Sequence, residues 1–328
     1  MILWCGQLVS DLGSGISGFA APLLILALTN SPALAGVAGT IGAIAYLIFA
    51  LPAGALVDRW DRKRVMMVCD TGRALSLVSI PIAAVIGHLT VWQLYATSAI
   101  ESSLYVFFSI AQVAALPRVV PREQLAAASV QNTGGNIATT ILAPSVGGFL
   151  YQAVGRTVPF LADALSYAAS ALSLALIRVP FQEQRVARPR HLRAEIVEGV
   201  TWLWGQPLIR YMAFITSGLR GVGVGQALII IVLARHQHAS PAVIGLIFSI
   251  GSVGGVAGAF LAPSIQRRFT FGQVTIASLW VEALLWPCLA LAPNPLLLGL
   301  VVAGMSIMGP SSLSERSGLS VSLMLIDL

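Results

Sequence analysis

The chain has 328 residues, of which 57% are hydrophobic and only 10% charged, with a formal net charge of +6 and a mean hydropathy of +0.85. A soluble domain of this size would carry roughly a quarter charged residues, so there is too little polar surface to coat a water-soluble globule. The basic excess belongs to membrane topology rather than to nucleic-acid binding, because it sits in short loops on one side.

Apolar runs of about 20 residues, each able to cross a hydrocarbon core of roughly 30 Å, predict a polytopic all-α membrane protein. In chain order they fall near 3–28, 33–57, 65–87, 91–116, 126–153, 157–179, 207–234, 241–264, 273–291 and 294–310. Basic residues gather in alternate connections: Arg59, Arg62, Lys63 and Arg64 after the second span, then Arg118 with Arg122 after the fourth. Arg178, Arg185, Arg188, Arg190 and Arg193 follow the sixth span, and Arg267 with Arg268 the eighth. The opposite loops carry little charge, so the positive-inside rule places the basic loops and the N-terminus in the cytoplasm of a cell that holds the protein in its inner or plasma membrane. No basic n-region precedes the first apolar stretch, so no cleavable signal peptide is expected.

Residues 180–206 form the longest polar stretch and read as a cytoplasmic linker, with an amphipathic helix near 191–204 whose Trp202 and Trp204 suit the interface. The linker divides a six-span bundle (1–179) from an incomplete bundle of about four spans (207–310). Aligning Gly54 with Gly258 in LPAGALVDRWDRKR and VAGAFLAPSIQRRF gives a weak internal repeat, a transporter signature.

The run GALVDRWDRKR packs Asp58, Arg59, Asp61, Arg62, Lys63 and Arg64 into a chain otherwise poor in charge. Gly54 is expected to allow close helix approach. Asp58 would meet a helix N-terminus or a basic side chain, and Arg59, Arg62 and Arg64 helix carbonyls, carboxylates or lipid phosphates. Asp70 and Arg73, three apart on one helix face, are expected to pair with each other or with this loop. Ionisable residues inside spans are costly and default to function. Asp11, Glu101 and Asp163 lie deep with no sequence-local partner, which would suit them to protons or cationic substrates. Arg220 is a plausible counter-charge, and Glu282 completes the candidate set.

The three cysteines show no metal-ligand spacing, and His236 with His238 do not make a metal site, so no metal or cofactor is expected. No Walker loop, G-x-S-x-G elbow or H-E-x-x-H pair is present, which argues against an ATP-driven pump and against a membrane-embedded enzyme.

Gly54-x-x-x-Asp58-Arg59-x-x-Arg62-Lys63-Arg64 resembles the signature loop of the major facilitator superfamily, departing from it at Asp61, where many members have glycine. With WCGQLVSDLGSGIS and VPREQLAAASVQN it is similar to the macrolide-efflux and enterobactin-exporter-like branch of drug:proton antiporters. In the fifth span, Pro144, Gly147 and Gly148 resemble the G-P-x-x-G-G antiporter motif, with Ala143 in place of its first glycine. The resemblance implies a major facilitator fold, a gating role for the 58–64 loop, and a monomeric secondary transporter of a small molecule with protons. Export of a drug, macrolide-like compound or siderophore is the expected direction. Many exporters of the superfamily carry an arginine in span four, where this chain has only Glu101.

A full member has two six-span halves, whereas the apolar part of SSLSERSGLSVSLMLIDL after Met308-Gly309-Pro310 is too short to cross a bilayer. The family partner of Asp58, at the end of an eleventh span, would then be missing. The glycine face at Gly251, Gly254, Gly255 and Gly258 would be exposed. The alternative expectation is therefore a C-terminally truncated, transport-inactive fragment with an atypical tail (311–328).

Overall fold

In the computed structural model, the described residues are 2–119, 125–177, 181, 201–202 and 204–307. They form ten long helices: α1 (Ile2–Thr29), α2 (Pro32–Val57), α3 (Arg62–Ile86), α4 (Val91–Val119), α5 (Leu125–Ala153), α6 (Val158–Leu176), α7 (Pro207–His236), α8 (Pro241–Gln266), α9 (Phe271–Leu291) and α10 (Pro295–Ile307). These ten follow the apolar stretches closely. Seven helices are long and apolar enough to span a membrane, among the described residues. α5 falls short because Gln131, Asn132, Thr133, Asn136, Thr139 and Thr140 dilute it, and α10 is described for only 13 residues. The linker positions 182–200 and the tail from 308 lie outside the described residues.

The side chains show why such helices need lipid. Leu47, Val85, Trp92 and Phe260 are at least three-quarters exposed, while Asp70, Arg73, Asp163 and Ser170 are buried. Apolar outside and polar inside is a stable arrangement only where the surrounding solvent is hydrocarbon.

The chain divides into two compact units, one of residues 1–136 and 155–229, the other of 137–154 and 230 onward. In the first, α6 packs on α1 and α3, while α4 packs on α2 and α3. Val57, Met66, Cys69, Phe108, Ala111 and Leu174 close one end of it. In the second, α8 packs on α10, and α9 on both.

The glycine face of α8 is covered, contrary to the expectation of an exposed surface. A Cβ at Gly251 would come within 2.6 Å of the Val302 side chain, and one at Gly254 within 2.7 Å of the Ala303 backbone. At Gly258 it would strike the Ile307 carbonyl. α10 lies directly on this face, an approach that only glycine permits.

The internal repeat is real but its register differs from the Gly54/Gly258 alignment. α2 and α8 both have 26 residues and both begin at a capping serine followed by proline, Ser31-Pro32 and Ser240-Pro241. Both end in the same backbone pattern. The Asp58 N–H donates to the Gly54 carbonyl and the Arg267 N–H to that of Pro263. Arg59 and Trp60 share the Leu56 carbonyl as Arg268 and Phe269 share that of Ile265. Thus Asp58 corresponds to Arg267, and Gly54 to Pro263. The sequence signal was S-P-A-x-x-G, present at 31–36 and again at 240–245.

Candidate functional site

The interior of the first unit is lined by two polar stripes. On α1, Gln7, Ser10, Asp11, Ser14 and Ser17 recur every three or four residues; on α6, Asp163, Ser166, Tyr167 and Ser170 do the same. That spacing puts each set on one helix face, and in lipid the polar face turns inward. Gly13 brings the stripes together, since a Cβ there would lie 2.6 Å from Asp163 Oδ1 and 2.9 Å from Ser166 Cβ.

Asp163 is fully buried. Its Oδ2 accepts a hydrogen bond from Ser17 Oγ, and its Oδ1 one from Ser166 Oγ at 3.2 Å. Asp163 therefore has a sequence-local partner after all, three residues on.

Arg73 does not pair with Asp70 or the 58–64 loop. Its Nε and Nη2 donate to Glu101 Oε2 at 3.3 and 3.2 Å, and Nη2 also donates to Tyr167 Oη. Tyr167 Oη donates to the same Glu101 oxygen at 3.1 Å and lies 2.8 Å from Ser14 Oγ. The guanidinium carbon sits 3.9 Å from the centre of the Tyr167 ring and 5.5 Å from that of Tyr105. The counter-charge is thus Arg73, which α3 presents inward because Asp70, Arg73 and Leu77 share its buried face. Arg220 lies on α7 with its side chain outside the described set, and Glu282 stands on α9 in the other unit.

Asp70 is fully buried, and its side-chain partner on α6 is the Ser170 hydroxyl, close enough to interact but outside good hydrogen-bond geometry. Asp11, Asp70, Glu101 and Asp163 all lie within electrostatic reach of Arg73. Four acids around one buried guanidinium outnumber the positive charge available to them, where water cannot screen the excess, so they cannot all ionise cheaply.

In the α2–α3 hairpin, Asp58, Arg62 and Lys63 meet partners of the expected kinds. Asp58 caps α2 and lies 3.4 Å from Arg62 Nη2. Arg62 Nη1 donates to the Ala114 carbonyl at 2.8 Å, and Lys63 Nζ to that of Ile177 at 2.7 Å, so the hairpin grips the ends of α4 and α6. Asp61, the departure from the family pattern, is the N-cap of α3 and accepts from the Arg64 N–H at 2.8 Å. Arg59 and Arg64 line the flank of the hairpin beside Trp60. At Gly54 an added Cβ would meet nothing within 4 Å among the described residues, contrary to the close approach expected there. Among the described residues, no close approach accounts for glycine at this position.

Pro144, Gly147 and Gly148 sit on the part of α5 that belongs to the second unit. A Cβ at Gly148 would strike the Pro241 carbonyl, and one at Gly245 the Pro144 carbonyl, so α5 and α8 cross backbone to backbone. Proline cannot donate to the carbonyl four residues back; Ser252 Oγ donates to that carbonyl, Thr140, at 3.0 Å. Ser249 Oγ donates to Ile141 at 2.5 Å and lies 2.6 Å from Ser145 Oγ. No motif marks these serines, nor Tyr167, Ser14 and Ser17. Their three- and four-residue spacing within apolar spans was the available signal.

The sequence pattern described as Major Facilitator Superfamily matches residues 3–317. Over 320 residues the chain is 24% identical to the multidrug efflux pump Tap of Mycolicibacterium fortuitum, covering 94% of this chain and 78% of that protein. Over 203 residues it is 29% identical to macrolide efflux protein A of Streptococcus pyogenes, covering 61% of this chain and 50% of that one. It therefore spans only half the length of the latter relative. Among solved structures, a bacterial homolog of the human lysosomal transporter Spinster, inward-facing and occupied, superposes with a TM-score of 0.70 at 15% identity, over 99% of this chain and 77% of that one. The nucleoside transporter NupG superposes with a TM-score of 0.68 at 17% identity, over 97% and 86%. These likenesses establish the fold, and the match along nearly the whole chain establishes that it belongs to the Major Facilitator Superfamily.

Proposed function

We propose that this chain is a secondary active transporter that exports amphipathic small molecules in exchange for protons by alternating access. The observation that carries the reading is the buried cluster in which Arg73 serves Glu101 and Tyr167 while Asp70 and Asp163 stand close by. Such a cluster is costly in lipid, and ionisable groups kept there point to function. Protons can neutralise its surplus charge in one state and leave in the other. The names of the relatives, a multidrug efflux pump and a macrolide efflux protein, support export and this substrate class.

The α2–α3 hairpin is the gating element in this reading. Its Asp58, Arg62 and Lys63 hold helix ends through bonds that can break and re-form as bundles rock. The repeat of α2 in α8 supports two related halves, 1–179 and 207–310, joined by the linker 180–206. The basic loops support an N-terminus in the cytoplasm of a cell whose membrane holds the chain, and a monomer is the state this reading assigns.

The test is drug efflux from cells lacking their own exporters, measured with and without an uncoupler. Expression should lower drug accumulation, and the uncoupler should abolish the effect. Accumulation unchanged by a protein abundant in the membrane would refute export. Export indifferent to the uncoupler would refute proton exchange.

A further inference from the structure

Tyr167 has one hydroxyl hydrogen and two acceptors within reach of it. Its Oη lies 3.1 Å from Glu101 Oε2 on α4 and 2.8 Å from Ser14 Oγ on α1. The single hydrogen of Ser14 goes to the Ser10 carbonyl at 2.8 Å, which leaves Ser14 Oγ to accept. Arg73 Nη2 donates to Tyr167 Oη, and its guanidinium carbon sits 3.9 Å from the ring centre, so the oxygen is held while the hydrogen can turn. The side chain is fully buried, so bulk water does not compete for that hydrogen.

Glu101, the farther acceptor, prevails only through its charge. A hydrogen bond to a carboxylate is roughly twice as strong as one between neutral groups. Arg73 Nε, Arg73 Nη2 and Tyr167 Oη all converge on Glu101 Oε2, while Oε1 is buried with no partner among the described residues. A proton taken up by Glu101 therefore settles on Oε1 and leaves Oε2 a neutral carbonyl oxygen. Ser14, the nearer acceptor, then prevails. The other titratable groups around the pair are Arg73 and Asp70 of α3, Tyr105 of α4, Asp163 of α6 and, through Arg73, Asp11 of α1. α2 carries no charged residue, and its Tyr46 is exposed.

We infer that the Tyr167 hydroxyl is a two-position switch, bonding α6 to α4 while Glu101 is charged and α6 to α1 once Glu101 is protonated. No proton leaves the tyrosine: its O–H bond rotates, and the incoming proton stays on Glu101. Farther along α1, Ser17 Oγ faces a similar choice between the Ser14 carbonyl at 3.3 Å and Asp163 Oδ2. Tyr167 is thus a positioning residue, which turns the charge on one acid into a choice of which helices are tied. The inference rests on the reading that protons act on this cluster, and adds the part that converts the protonation state into helix bonding.

The test is infrared difference spectroscopy between alkaline and acid pH on the purified 328-residue chain in nanodiscs, with and without ring-deuterated tyrosine. Acidification should raise a carboxylic acid band and, with it, shift a tyrosine C–O stretch identified by its response to deuteration. Six tyrosines share that region. Tyr167→Phe keeps the ring beside Arg73 and should erase the shift while the carboxylic acid band remains. Glu101→Gln, neutral at every pH, should erase the tyrosine shift as well. Ser14→Ala should displace the tyrosine band in acid and leave it in place in alkali, and Ser14→Thr should behave as the wild type. A wild type without a tyrosine shift overturns the inference, and that result needs no variant to fold. A shift that survives Glu101→Gln overturns it too. Because the readout is spectroscopic, a missing shift with uncoupler-sensitive efflux intact removes only the switch. Absence of efflux with the shift intact removes only the transport reading.

Discussion

Arg73 Nη2 donates at once to Glu101 Oε2 and to Tyr167 Oη, so one guanidinium ties α3 to both α4 and α6. Tyr167 closes the triangle by donating to the same Glu101 oxygen at 3.1 Å. None of these three bonds is local in sequence, and together they fix three helices of the first unit around one charge.

Arg73→Ala should therefore destabilise the protein by about 3 kcal/mol, the low end of what breaking a buried ion pair costs, because the Glu101 side chain keeps 20% of its exposure. Arg73→Lys should recover only part of the loss, since an ammonium can neither fork to two acceptors nor stack on Tyr167. Thermal unfolding in detergent reads both. A lysine variant as stable as the wild type would show that charge alone matters.

Gly148→Ala and Gly245→Ala should each destabilise by about 1–3 kcal/mol, because the new methyl meets a backbone carbonyl that cannot step aside. Gly54→Ala should do the opposite and stabilise α2 by roughly 0.5–1 kcal/mol, since none of the described residues crowds the methyl and the helix favours it. The same melting measurement compares the three. Loss of stability in Gly54→Ala would restore the close-approach reading of that glycine.

At the hairpin, the two aspartates should separate by phenotype. Asp61→Ala removes the cap of α3 and should cost about 1 kcal/mol of stability. Asp58→Asn leaves the helix cap geometry in place but weakens the hold on Arg62. It should cut transport while membrane insertion and melting temperature stay near wild type. Surface abundance, melting and efflux, measured side by side, check the pair, and unchanged efflux in Asp58→Asn removes the gating role.

Asp163→Asn should leave the protein folded, since an amide oxygen can still accept from Ser17 or Ser166, yet abolish the response of transport to a pH gradient. Asp11 and Glu101 are the other acids to neutralise in turn. Proteoliposomes with an imposed gradient give the readout, and full gradient dependence in all three variants would remove these acids from coupling.

Much of this protein follows from its sequence because the bilayer is a demanding solvent. Apolar length alone locates the helices, since a chain in hydrocarbon has little choice but to satisfy its backbone internally. The same constraint makes each intramembrane charge conspicuous, so Asp11, Asp70, Arg73, Glu101 and Asp163 stand out in the sequence by their type and position alone. Capping is legible as well, because Asp61 and the two Ser-Pro starts act within one helical turn.

Which charge meets which is not legible there. Asp70 and Arg73, adjacent on one face of α3, suggest a local pair, but the rotation of α3 against α4 and α6 carries the guanidinium to Glu101 and Tyr167 instead. The glycine face of α8 is expected to be exposed when its cover is sought in an eleventh or twelfth span, whereas α10, a span already legible at 294–310, is what lies on it. The serines that bond the carbonyls of α5 beside Pro144 come from α8, and only the crossing of those two helices brings them there. Helix existence is set by solvent and local chemistry, whereas partner choice depends on helix rotation and depth, which packing over the whole bundle decides.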